Sequence, residues 1–344
     1  MTVELYKHLR MRPFAVKRGP AELARQAEET GWYGGFLSDS QHFSPETWVS
    51  LGQAIEGSST LSLAVGVTNP ATRDVSVTAS AAAAAYFYSG GRFVLGLGRG
   101  DSSVHKIGRK PVALEEFELR VTQIQEYLSG GTPGRDTDGS PVGLWAADVD
   151  MAKPPMDLAA TGPKVIAIGA RHAERVSFTV SADPVRIAWA IEQAKAACRD
   201  SGKDPDSLPM GAYVHMVVTD DISYGRDLVR GLAALAHRFT AMNTAKPLAD
   251  LSENERETAT RLSGAYRTQD HALGTSEYAQ TLSDEFLDLF AIIGPASYCI
   301  ERISALVELG ITRLWIMPPG RETGAEQSDR MYDDIGRQVI PHLT

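Results

Sequence analysis

Short runs of apolar and β-branched residues alternate along the chain with longer stretches whose apolar positions recur every three or four residues. That alternation predicts strands joined by helices, and so an α/β fold with parallel strands. Residues 3–9, 33–37, 61–68 and 92–97 read as the first four strands. The helices between them are punctuated at their ends. Gly31 stops the helix of residues 20–30, and Ser44 and Pro45 open the next. Asp74 caps an alanine-rich helix closed by Ser89-Gly90-Gly91, and Gly130-Gly131 ends residues 111–128.

The second half is less regular. Residues 132–155 are rich in Gly, Pro and Asp and read as a loop or hairpin excursion. Four more strands follow at 156–160, 176–180, 212–219 and 313–317. Thr161-Gly162-Pro163 turns the fifth strand into a helix, and further helices are predicted over 184–201 and 295–309. Residues 222–290 are mostly helical in pattern, with breakers at 243–247, and read as an insertion before the last strand. Eight strands separated by helices predict one closed (β/α)₈ TIM barrel across residues 1–344, since an open doubly wound sheet usually has five or six.

Composition sharpens this picture. The 344 residues exceed the ~250 of a bare barrel, as an insertion requires. A formal net charge of −9 argues against a general binder of phosphate backbones, so no nucleic-acid partner is expected. The two cysteines, Cys198 and Cys299, form no C-x-x-C pair, which leaves no zinc or redox motif and fits a reducing compartment. The first ten residues carry charge without an apolar run, and the longest apolar stretch, 79–88, is too short to span a bilayer. A soluble, cytoplasmic protein is the expectation.

Chemistry on such a barrel sits at the C-terminal ends of the strands. The densest signal there is Gly96-Leu97-Gly98-Arg99-Gly100-Asp101-Ser102-Ser103. Glycine at every second position lets the backbone approach a flat or anionic ligand, although a tight polar surface turn reads the same way. Asp101 stands where G-x-G-x-x-G needs its last glycine, so that nucleotide motif is not met. Thr161-Gly162-Pro163-Lys164 offers helix-start N–H groups to a phosphate, or is an ordinary βα turn. Asp39 could hold a cofactor or cap the next helix. His8, His42 and His105 are possible proton donors. Tyr6-Lys7-His8 lacks the H-x-H pair of a metal-dependent barrel, so no metal site is predicted.

The segment from Ser89 to Asp101 resembles the S-x-G-R-x-x-L-G-[LV]-G-x-G stretch of the luciferase-like flavin-dependent oxidoreductases. Ala27-Glu28-Glu29-Thr30-Gly31-Trp32 with Ser38-Asp39, Ala159-Ala160-Thr161-Gly162-Pro163, and Ala182-Asp183-Pro184 are similar to further motifs of that family. The likeness runs over about residues 20–205 and, more loosely, the last strand. It implies a (β/α)₈ barrel with an insertion, a homodimer, a small organic substrate, and coenzyme F420 or FMN. Gly98-x-Gly100-Asp101 is closer to the deazaflavin branch, as in methylenetetrahydromethanopterin reductases. Hydride transfer with F420 is therefore expected. The alternatives are a monooxygenase fed with reduced FMN by a separate reductase, and a catalytically silent flavin-binding paralogue. The barrel alone would also allow a hydrolase using Asp39 and Asp101.

Position by position, the resemblance implies Asp39 beside the cofactor and a non-prolyl cis peptide at Gly66-Val67, followed by Thr68. It also implies Gly98, Arg99 and Gly100 in the loop after strand four, and Thr161, Gly162 and Pro163 at the phosphate end. Asp101, His42 and His8 are the proton-transfer candidates. The chain departs from the family at Ser40, where many members carry a histidine, and at Ala173-Glu174-Arg175, where A-D-G is usual.

Overall fold

The computed structural model describes residues 3–9, 19–242 and 270–343. Eight parallel strands close into a barrel: β1 (Glu4–His8), β2 (Gly34–Leu37), β3 (Ser62–Thr68), β4 (Phe93–Leu97), β5 (Met156–Ala160), β6 (Arg175–Phe178), β7 (Met210–Val214) and β8 (Ile311–Ile316). Each strand pairs with its sequence neighbour, and β1 closes the ring by pairing with both β2 and β8. The predicted barrel is what the chain forms.

Strand periodicity decides what fills it. Alternate residues of β1 point inward as Glu4, Tyr6 and His8, and those of β8 as Arg313 and Trp315, with Met317 just past its end. Tyr6, Phe36, Ala64, Val94, Tyr213 and Trp315 form the middle layer. Tyr6 and Tyr213 stack on Trp315 with ring centroids 4.3 and 5.4 Å away. Gly34 makes room for this layer, because a Cβ there would meet the Tyr6 ring at 2.3 Å. The residues between, such as Leu5, Leu63, Val65 and Leu95, join the core under the helices. Below the aromatics, Arg313 faces Asp157 with Nη2 and Oδ2 2.9 Å apart. Above them, His8, Met317, Ala159 and Thr179 reach the open mouth. The same two-residue period gives the barrel interior a floor with the Arg313–Asp157 pair, a mainly aromatic middle layer and a partly polar mouth.

Around the barrel lie α1 (Pro20–Glu29), α2 (Thr47–Glu56), α3 (Val75–Tyr88), α4 (Leu114–Leu128), α5 (Pro163–His172), α6 (Pro184–Asp200), α7 (Ile222–Met242), α8 (Ala296–Glu308) and α9 (Ala325–Gln338). α9 carries no strong start signal in sequence beyond Gly324 and was not anticipated. α4 begins later than its proline suggests, because the Val112 carbonyl is taken by the Arg99 guanidinium at 2.9 and 3.1 Å. The excursion before β5 contains a two-residue antiparallel ladder, Gly134–Arg135 with Pro141–Val142. Of the insertion, α7 and the short helices Glu277–Gln280 and Asp284–Phe290 are described, whereas the breaker zone at 243–247 lies outside the described residues.

The seventh strand differs from its expected span. The apolar run continues past Val214, but the ladder breaks at His215, and Met216–Val218 pairs instead with Ile292–Gly294 outside the barrel. Both halves are buried, so hydropathy alone gives no hint of the exchange. His215 sits at the joint, buried, its Nδ1 without a hydrogen-bond partner among the described residues. Burial depresses its pKa from 6.5 to about 4.

The ring is therefore neutral in the fold, while the unfolded chain takes up a proton below pH ~6.5. The contribution to stability is complete above pH 6.5 and is lost as pH falls toward 4. Its upper size is about 3 kcal/mol, from about 1.4 kcal/mol per unit of pKa difference. Urea unfolding of wild type and His215→Gln between pH 4 and 7 should show a smaller pH slope in the variant. Parallel curves would show that His215 does not titrate in this way.

Candidate active site

The barrel mouth holds a cavity of about 450 Å³, within the range of small-molecule sites. Strand ends form one side. Leu232 and Leu235 of α7, with His271 and Ala272 further along the same insertion, form the other. Apolar surface dominates its walls, with a few polar groups converging on it.

β3 ends in a cis peptide at Gly66-Val67, where its register against β4 shifts between Val65 and Thr68. The shift sets Gly98 against Val67, so that a Cβ on Gly98 would touch Val67 Cγ2 at 3.0 Å. Gly100 has φ +87°, and a Cβ there would meet Val104 and Asn69 at 2.6 and 3.1 Å. The glycine-rich loop therefore lies directly on the end of β3. Gly66, Val67, Thr68, Gly98, Arg99, Gly100 and Asp101 all reach the cavity wall.

Asp39 reaches the wall from the end of β2 and is buried. Its Oδ2 accepts from Thr68 Oγ1 at 2.6 Å and from Arg73 Nη1 at 2.5 Å. Arg73 also pairs with Glu46, the N-cap of α2, so one guanidinium ties the cavity carboxylate to the adjoining helix. His8 Nε2 lies 2.9 Å from Ser38 Oγ. Asp101 precedes the short helix Ser102–His105 and pairs with His105 Nδ1 at 3.1 Å.

Three expectations shift. His42 is exposed and is not among the cavity residues, so the structure does not bring it to the site. Arg99 lines the wall, but its guanidinium holds the Val112 carbonyl, and burial lowers its pKa. Thr161 and Val165 reach the cavity, whereas Gly162 and Pro163 stand behind them as N-cap and first residue of α5.

Three residues were missed in the sequence. Arg73 lies in an unremarkable turn, and nothing in its spacing links it to Asp39. Phe43 is brought in by the tight turn after β2, with Phe43 and Ser44 N–H both donating to Ser40 O at 2.9 and 3.0 Å. His271 lies within an insertion that carries no motif. It is buried, lines the cavity and stacks on Phe43, with centroids 4.6 Å apart and planes 14° from parallel.

Comparison with known proteins agrees with this architecture. The model of the luciferase-like monooxygenase family matches residues 15–313. A 5,10-methylenetetrahydromethanopterin reductase from Methanolobus tindarius is 23% identical over 329 residues, covering 93% of this chain and 95% of the relative. The coenzyme F420-dependent tetrahydromethanopterin reductase from Methanopyrus kandleri superposes with TM-score 0.76 at 21% identity, covering 100% of both chains. An F420-dependent secondary alcohol dehydrogenase, in complex with an F420–acetone adduct, superposes with TM-score 0.75 at 16% identity, again over 100% of both. At these identities the structural likenesses speak for the fold.

Proposed function

Since the chain belongs to the luciferase-like monooxygenase family of oxidoreductase enzymes, we propose that it uses coenzyme F420 to transfer hydride to or from a small organic substrate at the barrel mouth. One observation carries this reading. The glycine-rich loop, the bulge at Gly66-Val67 and the Asp39 carboxylate converge on one largely apolar cavity of about 450 Å³. The names borne by the methanopterin reductases and the alcohol dehydrogenase support the deazaflavin over FMN.

The residues present fit such a group. Gly98 and Gly100 leave backbone bare where a planar ring would lie close, and a side chain at either position would collide with its neighbours. Asp39, held by Thr68 and Arg73, offers a fixed acceptor. Thr161 and the N-terminus of α5 suit the phosphate end. When bound, the deazaflavin supplies the hydride chemistry; the protein binds, orients and excludes water. Leu232 and Leu235 close the side opposite the strand ends and dry the space left for substrate.

We read 222–290 as an insertion within one domain that shapes the substrate side. We also read the protein as a cytoplasmic homodimer, with exposed Val49 on α2 and Val77 and Tyr88 on α3 offering an apolar face to a second copy. Among the described residues no helix is long and apolar enough to cross a membrane.

Anaerobic mixing with reduced F420 and a panel of ketones, imines and enones should return the oxidised coenzyme's absorbance. The family description favours a second reading, an FMN-dependent monooxygenase. Turnover confined to reduced FMN with oxygen, supplied by a separate reductase, would move the assignment there.

A further inference from the structure

Hydride transfer to a carbonyl leaves negative charge on oxygen, so the site needs a proton donor on the substrate's side. Ser40 occupies the position where the resembled family often has a histidine, and His42 is exposed and away from the cavity. Of the titratable groups on the wall, Asp39 is held by Thr68 and Arg73, Asp101 by His105, and His8 lies against Ser38 at the end of β1. All three rise from the strand ends, the side assigned above to the cofactor. His271 enters from the other side, beside the insertion's leucines.

Its placement is built rather than incidental. Gly231 on α7 lets the returning chain lie directly on the helix: a Cβ there would meet Ala272 O at 2.5 Å and Gly274 N at 2.6 Å. Ala272 N–H donates to Tyr278 Oη at 3.0 Å, while Ala272 O accepts from Arg321 N at 3.0 Å. Gly274 N donates to Glu322 Oε1 at 2.7 Å. Three anchors thus fix the backbone just after His271, and Phe43, three residues from Ser40, stacks on its imidazole and sets its plane. Lys106 Nζ lies 5.2 Å from the Phe43 ring centroid, a cation next to the stacked pair.

We propose that His271 is the catalytic acid–base residue, and that the substrate is a largely apolar ketone or the corresponding secondary alcohol. This rests on the F420 reading above. In the reductive direction the carbonyl carbon accepts a hydride, with its electron pair, from the reduced deazaflavin. The C=O π pair moves to oxygen, and the oxygen takes a proton from the His271 imidazole, which regains one from solvent. The oxidative direction is the reverse, with His271 taking the hydroxyl proton. An imidazole suits either direction because its ordinary pKa lies near neutrality. The chain thereby replaces the histidine missing at Ser40 with one delivered from the far side of the cavity.

The test compares wild type, His271→Gln and His271→Ala, using acetone and cyclohexanone with reduced F420. The expected result is unchanged F420 affinity, a fall in kcat of roughly 10²–10³-fold with little change in KM, and partial rescue of His271→Ala by added imidazole. A kcat for His271→Gln within about threefold of wild type would overturn the proposal. Nuclear magnetic resonance of ¹⁵N-histidine-labelled wild type does not depend on a variant folding. Cyclohexanol added to the F420 complex should shift the His271 ring signals, and unmoved signals would also overturn it. Wild type that binds F420 but turns over neither ketone refutes the carbonyl role of His271 and leaves the cofactor reading standing. Wild type that does not bind F420 refutes the cofactor reading itself.

Discussion

Replacing Asp157 with alanine is expected to destabilise the protein by about 3–5 kcal/mol, because it strands a buried cation. The side chains of Asp157 and Arg313 are each only 1% exposed at the floor of the barrel. Burial works against the Arg313 guanidinium, but Asp157, Tyr6 and Glu4 together hold its pKa above the ordinary value. Asp157 Oδ2 also accepts from Ser177 Oγ at 3.0 Å, and Ser177 Oγ accepts from Trp315 Nε1 at 2.9 Å. Truncation therefore removes the counter-charge and loosens the aromatic layer above it. The paired change Asp157→Leu with Arg313→Met should recover most of the loss, since it removes both charges together. Urea unfolding of the three proteins decides this. A loss below about 1 kcal/mol for Asp157→Ala would mean that water reaches Arg313.

Replacing Arg73 with methionine is expected to weaken F420 binding by roughly 10–100-fold, through the loss of about 1–3 kcal/mol of hydrogen bonding at a buried carboxylate. Arg73 is the partner that holds Asp39 from outside the cavity, and the Asp39 side chain is only 6% exposed. Without the guanidinium, Asp39 keeps Thr68 but loses its counter-charge and one of the two bonds that fix its carboxylate. Glu46→Gln should change affinity far less, because Glu46 sits at the exposed end of the same clamp, where ion pairs contribute little. Fluorescence titration of the two variants separates these outcomes. Equal affinities in Arg73→Met and wild type would remove Asp39 from the cofactor site.

The barrel was legible because its strands carry both a two-residue period and glycine or proline punctuation at their ends. Phe93–Leu97 and Met156–Ala160 could be placed to within a residue for that reason. The exchange at His215 was not legible. Residues on both sides of the break are apolar and buried, and the partner strand Ile292–Gly294 is only three residues long. The strand-end side of the cavity was visible because it is built from contiguous segments: the turn after β2, the end of β3 and the glycine-rich loop. The opposite side was not, because His271 depends on packing between α7, Tyr278 and the loop after β8, and no local pattern encodes contacts across such distances. His42 misled for the complementary reason. It lies within three residues of Asp39 and Ser40, but the turn that brings Phe43 to the cavity leaves it facing solvent.

We propose a deazaflavin site at the barrel mouth. The most direct measurement is titration of the protein with F420 and with FMN, each oxidised and reduced, followed by coenzyme absorbance and by tryptophan fluorescence. Trp315, in the aromatic layer just beneath the cavity, serves as a reporter. F420 is expected to bind more tightly than FMN, with quenching of the tryptophan signal. A preference for reduced FMN would contradict the deazaflavin assignment. Binding of neither at ~100 μM, equivalent to less than about 5.5 kcal/mol of binding free energy, would contradict the site itself.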